Sequence, residues 1–209
     1  ICGWYERALD SKDENIRTKA ADALTNFYLR KKQYDRAEKY LEYLSLQNPE
    51  KKRKKAQICA ETGRLEEAYK VYEELLFSDY MRVSVELQGI YMLALQENDR
   101  KRAHRIVEKQ KELAHCFEMG AYYENSPGLE LATLEQDADA VISIMEKMLS
   151  SVEHIGEFRK APLYEHMDFK ETSDEFKTDL KENLLKCFHN EESYGFLKED
   201  KRWQRLVGQ

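Results

Sequence analysis

Side chains able to exchange protons, attack a substrate or hold a metal are present in this 209-residue sequence, but their spacing gives them little to do together. Acidic residues come in adjacent pairs, Glu66-Glu67, Glu73-Glu74 and Glu191-Glu192. Neighbours of this kind do not share a helix face, so they make poor acid–base partners. The cysteines Cys2, Cys59, Cys116 and Cys187 lie far apart with no C-x-x-C pair. They read as reduced thiols that pack as small apolar side chains. Histidines 104, 115, 154, 166 and 189 are equally scattered, and no H-E-x-x-H spacing would hold zinc. Neither a G-x-S-x-G elbow nor a glycine-rich phosphate loop after a strand is present. The expectation is a protein that is not an enzyme and carries no cofactor and no metal.

The densest charge run is "KKRKK" at 51–55. It reads first as a solvated stretch of helix. A nucleic-acid or localisation patch is a second reading, and a lining for a groove that attracts an acidic segment is a third. The net charge of −6 argues against general attraction to nucleic acid. No apolar span of membrane length and no signal peptide stands out, so the expectation is a cytoplasmic protein without membrane contact.

What must position any binding residues is a set of helices. Three prolines and eight glycines are few for this length, and 35% of residues are charged. That composition favours helices over strands and turns. Ile16, Ala20, Leu24, Phe27 and Tyr28 recur at helical spacing; a polar break follows at 31–33; Ala37, Tyr40, Leu41 and Leu44 then form a second amphipathic face. Asn48-Pro49 suits a helix start. Ala56, Cys59 and Ala60 precede a Thr62-Gly63 break, and Leu65, Ala68, Val71, Tyr72 and Leu75 follow it. A third pair is read from Leu87, Ile90, Tyr91, Ala94 and Leu95, a turn at 97–99, and Ala103, Ile106 and Val107. Aligned on the turns, Ala37, Ala68 and Ala103 coincide. A small residue at that point is expected where the two helices of a hairpin cross closely. A helix–turn–helix unit repeating at about 34 residues is the period of tetratricopeptide repeats.

The sequence resembles that family through "QYDRA…YL…L…NP" and "GRLEEA…VY…L", most closely over residues 1–118. The third unit departs from the pattern at Gln110 and Tyr91. The resemblance implies an all-α, right-handed superhelix of helical hairpins with a helical C-terminal cap. Its expected divisions are a half repeat at 1–14, repeats at about 15–48, 49–82 and 83–118, a degenerate further repeat at 119–155, and a connector with capping helices at 156–209. In the degenerate repeat, Ser126 is expected to cap a helix, and Ala140, Ile144 and Met148 to form the buried stripe of the next. Ser173 or Thr172 should cap a later helix with Leu180, Leu184, Leu185 and Phe188 inward, and Phe196, Trp203, Leu206 and Val207 should be buried at the end. Carried over from the family, the concave groove would be lined by Asp22, Asn26 and Arg30, then Arg53, Gln57 and Glu61, then Gln88, Met92 and Gln96. Asn26 falls where the family often holds a peptide backbone, whereas Asp22 departs from the basic residue of carboxylate-binding members.

The tail from "APLYEHMDF" to "KRWQRL" resembles the C-terminus of a group of regulators from low-GC Gram-positive bacteria, in which a helix-turn-helix DNA-binding domain precedes a tetratricopeptide array. That resemblance implies a peptide- or protein-binding module for sensing or homodimerisation, touching DNA only through a domain upstream of this chain. The alternative is a stand-alone scaffold that assembles other proteins with no link to DNA. Because it opens at Ile1 with "GWYERALD" reading as a second repeat helix, the chain is expected to be the C-terminal part of a longer protein.

Overall fold

The computed structural model describes residues 2–45 and 48–208, without the side chains of Cys2 and Pro49. The expected packing of the Cys2 thiol and the expectation drawn from Ile1 therefore lie outside the described residues. Among the described residues every regular element is a helix and there is no strand. The chain divides into two compact units, residues 1–78 and 79–209.

The first unit holds α1 (Cys2–Ala8), α2 (Glu14–Arg30), α3 (Tyr34–Leu41), α4 (Pro49–Glu61) and the first part of α5 (Leu65–Gln96). Two of these helices, α2 and α4, start where a side chain satisfies free backbone donors. The Asp13 carboxylate accepts from the Asn15 N–H at 2.8 Å, and Asn48 Oδ1 accepts from the Glu50 N–H at 2.9 Å. Ala20, Ala21 and Leu24 of α2 pack in one core with Ala37, Tyr40 and Leu41 of α3. The Tyr28 and Tyr40 rings stack with centroids 5.4 Å apart. A second small cluster joins Ala56 of α4 to Val71 and Leu75 of α5.

The two hairpins of this unit turn in the same way. Lys32 (φ 55°) and Gly63 (φ 78°) adopt the left-handed conformation. The following N–H then reaches back past the helix end: Gln33 to the Tyr28 carbonyl at 3.0 Å, Arg64 to the Cys59 carbonyl at 2.8 Å. This is the Schellman closure of a helix C-terminus. Five residues after each left-handed residue comes a buried alanine, Ala37 or Ala68.

The second unit holds the remainder of α5, then α6 (Arg100–Cys116), α7 (Ala121–Asn125), α8 (Leu129–Leu134), α9 (Ala138–Ser151), α10 (Asp174–Phe188), α11 (Glu191–Tyr194) and α12 (Lys201–Val207). The same turn recurs at Asn98 (φ 56°), where the Asp99 N–H donates to the Ala94 carbonyl at 2.9 Å and buried Ala103 follows. It recurs again at Gln136 (φ 55°), where the Asp137 N–H donates to the Ala132 carbonyl at 3.0 Å and Val141 takes the alanine's place. The core of this unit is more aromatic. Phe188, Tyr194 and Trp203 pack with Val141, Ile142 and Met145 of α9, and the Trp203 indole N–H donates to the Phe188 carbonyl at 3.2 Å. In the connector, Phe158 and Tyr164 are buried, each edge-on to Phe169.

Several sequence expectations give way. The repeat boundary expected at 82/83 falls inside α5, which runs unbroken from Leu65 to Gln96. Ser126 is not a helix N-cap: it ends α7 as its C-cap, and residues 126–128 form a 3₁₀ turn joining α7 to α8, with Pro127 supplying no N–H. The buried stripe of α9 is Val141, Ile142, Met145 and Met148, with Ala140 and Ile144 only half-buried. Ile16, Leu65 and Tyr72 are about half exposed. Ser173 does cap α10, accepting from the Phe176 N–H at 3.2 Å, while Thr172 instead meets the Arg159 guanidinium.

Candidate functional site

The residues expected to line a groove fall in both units. Those at 22–61 belong to the first, and Gln88, Met92 and Gln96 to the second. In the first unit, Asp22, Asn26 and Arg30 come together as one wall of a cavity of about 600 Å³. They lie on one face of α2, four residues apart, as the helical period requires. Lys19 extends the same face, Ala23, Leu24 and Phe27 supply apolar surface, and Thr18, Tyr5 of α1, Asn48 and Glu50 complete the lining. The sequence reading missed Lys19, although its place three residues before Asp22 put it on that face.

Asp22 is not free to meet a ligand. Lys54 Nζ pairs with one of its carboxylate oxygens and Asn26 Nδ2 donates to the other at 3.0 Å. Lys54 is 9% exposed. Glu50, on the cavity wall, accepts from Arg53 at 2.6 Å. Arg53 is not itself a lining residue, but it holds Glu50, which is. Glu61 accepts from the Tyr34 hydroxyl at 3.0 Å, and Gln57 is exposed outside the cavity. The Tyr34 hydroxyl is raised above its ordinary value, first by desolvation and then by Glu61. In the second unit Gln88 accepts from the Gln110 amide at 2.9 Å, and Met92 and Gln96 are exposed.

The basic run at 51–55 is spent on ion pairs. Lys51 meets Glu42 at 3.6 Å, Lys52 meets Glu74 at 2.9 Å and Lys55 meets Glu67 at 2.9 Å, beside the Arg53 and Lys54 pairs already described. Arg64 joins Glu38 at 3.1 Å and Glu67 at 3.4 Å. The Lys55 hydrogen bond holds the Glu67 carboxyl below its ordinary value. Next to this network Cys59 is fully buried, and burial, with Glu67 nearby, pushes its thiol up. A raised thiol is a poor nucleophile at neutral pH.

In the second unit Tyr91 is 1% exposed, and among the described residues neither its hydroxyl nor Arg100 Nη1 makes a hydrogen bond of good geometry, although Glu130 lies close to the hydroxyl. Burial, followed by the charge of Glu130, pushes the Tyr91 hydroxyl up to about 12. Three histidine–carboxylate contacts, His104–Glu135, His115–Glu124 and His154–Glu157, lie on the surface. Among the described residues no group of three or more His, Cys, Asp or Glu side chains could hold a metal ion, and no helix is long and apolar enough to cross a membrane.

The sequence matches no family model and no curated protein, and no solved structure matches either.

Proposed function

We propose that this chain is a tetratricopeptide-like array, a right-handed superhelix of helical hairpins with a helical cap, that binds an extended peptide or protein segment. The observation carrying this reading is the recurring turn: a left-handed residue, a back-bonded N–H five positions on from its acceptor, and a small buried residue entering the next helix, at Lys32, Gly63 and Asn98. Hairpins of one shape stacked in series are how repeat proteins present an extended binding face. The cavity on α2 supports the binding role, because it offers amide and charged groups over an apolar floor. Its resemblance-based extension is a cytoplasmic sensor or dimerisation region of a bacterial helix-turn-helix regulator, with DNA contacted by a domain outside this chain.

The test is binding of a peptide-array hit to the wild-type chain and to Asn26→Ala, by calorimetry. The variant should lose about 1–2 kcal/mol, the usual cost of a hydrogen bond whose partner is left unpaired, with an unchanged helical spectrum. Undiminished binding by the variant would move the ligand away from α2.

A further inference from the structure

We propose that the cavity on α2 selects peptides carrying acidic side chains, an inference that rests on the peptide-binding reading above. It comes from an inventory of which charges at the cavity are already used. Both carboxylates on its wall carry their own cation: Asp22 is held by Lys54, and Glu50 by Arg53. Both cations on its wall stand alone. Lys19 and Arg30 are exposed, and no described residue pairs with either. The cavity therefore offers two uncompensated positive charges, although the chain as a whole carries −6.

Spacing narrows the ligand further. Lys19 and Arg30 are eleven residues apart on one helix, about 16 Å at 1.5 Å per residue. An extended peptide covers that distance in about five residues. Ala23 and Phe27 lie between the two cations, with Asn26 beside them. The ligand that fits is an extended segment with two carboxylates about five residues apart and an apolar side chain between them. The remaining amide capacity of Asn26, beyond its bond to Asp22, would meet the peptide backbone. Nucleic acid fits less well, because the one dense basic run nearby is neutralised by Glu42, Glu74, Glu50, Asp22 and Glu67.

The experiment uses three fluorescein-labelled, end-blocked peptides with a phenylalanine between two test positions about five residues apart. The test positions are both Glu, both Gln or both Lys. Anisotropy titrations at low and high salt should find the Glu peptide bound roughly five- to tenfold tighter than the Gln peptide, the sum of two partly exposed ion pairs. Salt should erase the difference. The Lys19→Gln/Arg30→Gln double variant should bind the Glu peptide no better than the Gln peptide, while Lys12→Gln, outside the cavity, should leave the preference intact. Equal affinity for the Glu and Gln peptides, or a double variant that keeps the preference, would overturn the charge selectivity and leave the peptide-binding reading standing. Failure of all three peptides to bind would overturn both. Displacement of the Glu peptide by a single-stranded oligonucleotide at matched charge would overturn the assignment to peptides.

Discussion

The two units solve helix packing with different materials. In the first, α2 and α3 meet through Ala20, Ala21 and Ala37, and charges tie one helix to another: Lys52 to Glu74, Lys55 to Glu67, Arg64 to Glu38, Lys54 to Asp22. In the second, Phe188, Tyr194 and Trp203 fill the space around α9, and many ion pairs stay within a single helix, as in Lys109–Glu112, Lys111–Glu108 and Lys177–Asp174. Close approach leaves surface side chains of neighbouring helices within reach of each other. Large aromatic spacers fill the gap between helices with apolar volume instead. The first unit should therefore be sensitive to added volume and to salt, and the second to lost volume.

The sharpest contrast should come from Phe188→Ala. The side chain is 1% exposed, and removing a buried ring of this kind costs about 3–5 kcal/mol. Denaturant unfolding measures it; a loss below about 1 kcal/mol would mean that the cap contributes little to the core. Next in size, Ala37→Leu in the first unit should destabilise by about 1–3 kcal/mol because the hairpin cannot take the extra volume. The same enlargement at exposed Ala60 should be harmless, and equal effects at the two sites would undo the close-crossing account. A smaller effect is expected for Lys54→Met, which keeps most of the packing and removes the partner of Asp22. The Asp22 side chain is 41% exposed, so water screens the pair, and about 1 kcal/mol is expected. Added salt should raise hydrogen exchange in α4 more than in α9, and the reverse order would break the comparison.

The least effect belongs to acid. Arg202, through its side-chain and backbone hydrogen bonds, lowers the Asp200 carboxyl to about 2. A carboxyl lowered on folding adds stability above its unfolded pKa, near 3.9. That contribution fades as pH falls from there through about 2. A carbon-13 titration of the Asp200 carboxyl should place its midpoint well under that of the unfolded chain. An ordinary midpoint would show that its contact with Arg202 does not persist in solution.

Much of the helix pattern was legible because breaks announce themselves. The polar turn at 31–33, Thr62-Gly63 and 97–99 each end a helix where the residue types say so, and Asn48 and Ser173 cap helices as their chemistry predicts. The boundary expected at 82/83 was inferred from the period alone. Residues 76–86 contain no Gly, Pro or Asn to stop a helix, and α5 continues through them. The face of α9 was read one residue off because Met148 belongs to both candidate stripes, 140–144–148 and 141–145–148. Asp22, Asn26 and Arg30 were legible as one face of α2, since helical spacing is local. The neutralisation of the basic run was not, because Asp22 and Glu74 lie far from it in sequence.

Of the five helix-closing turns described with left-handed residues at 32, 63, 98, 118 and 136, only one uses glycine. Lysine, asparagine, glutamate and glutamine occupy the rest, although an L-residue in that region is disfavoured by about 1–2 kcal/mol. These turns do not owe their shape to the residue at the corner. The helices on either side impose it, and the corner residue tolerates it. Such corners do not require glycine once the flanking helices are packed, and unbranched polar side chains stand there. They are also the natural places to graft a new loop or a chemical handle without redesigning the helices that carry the binding face.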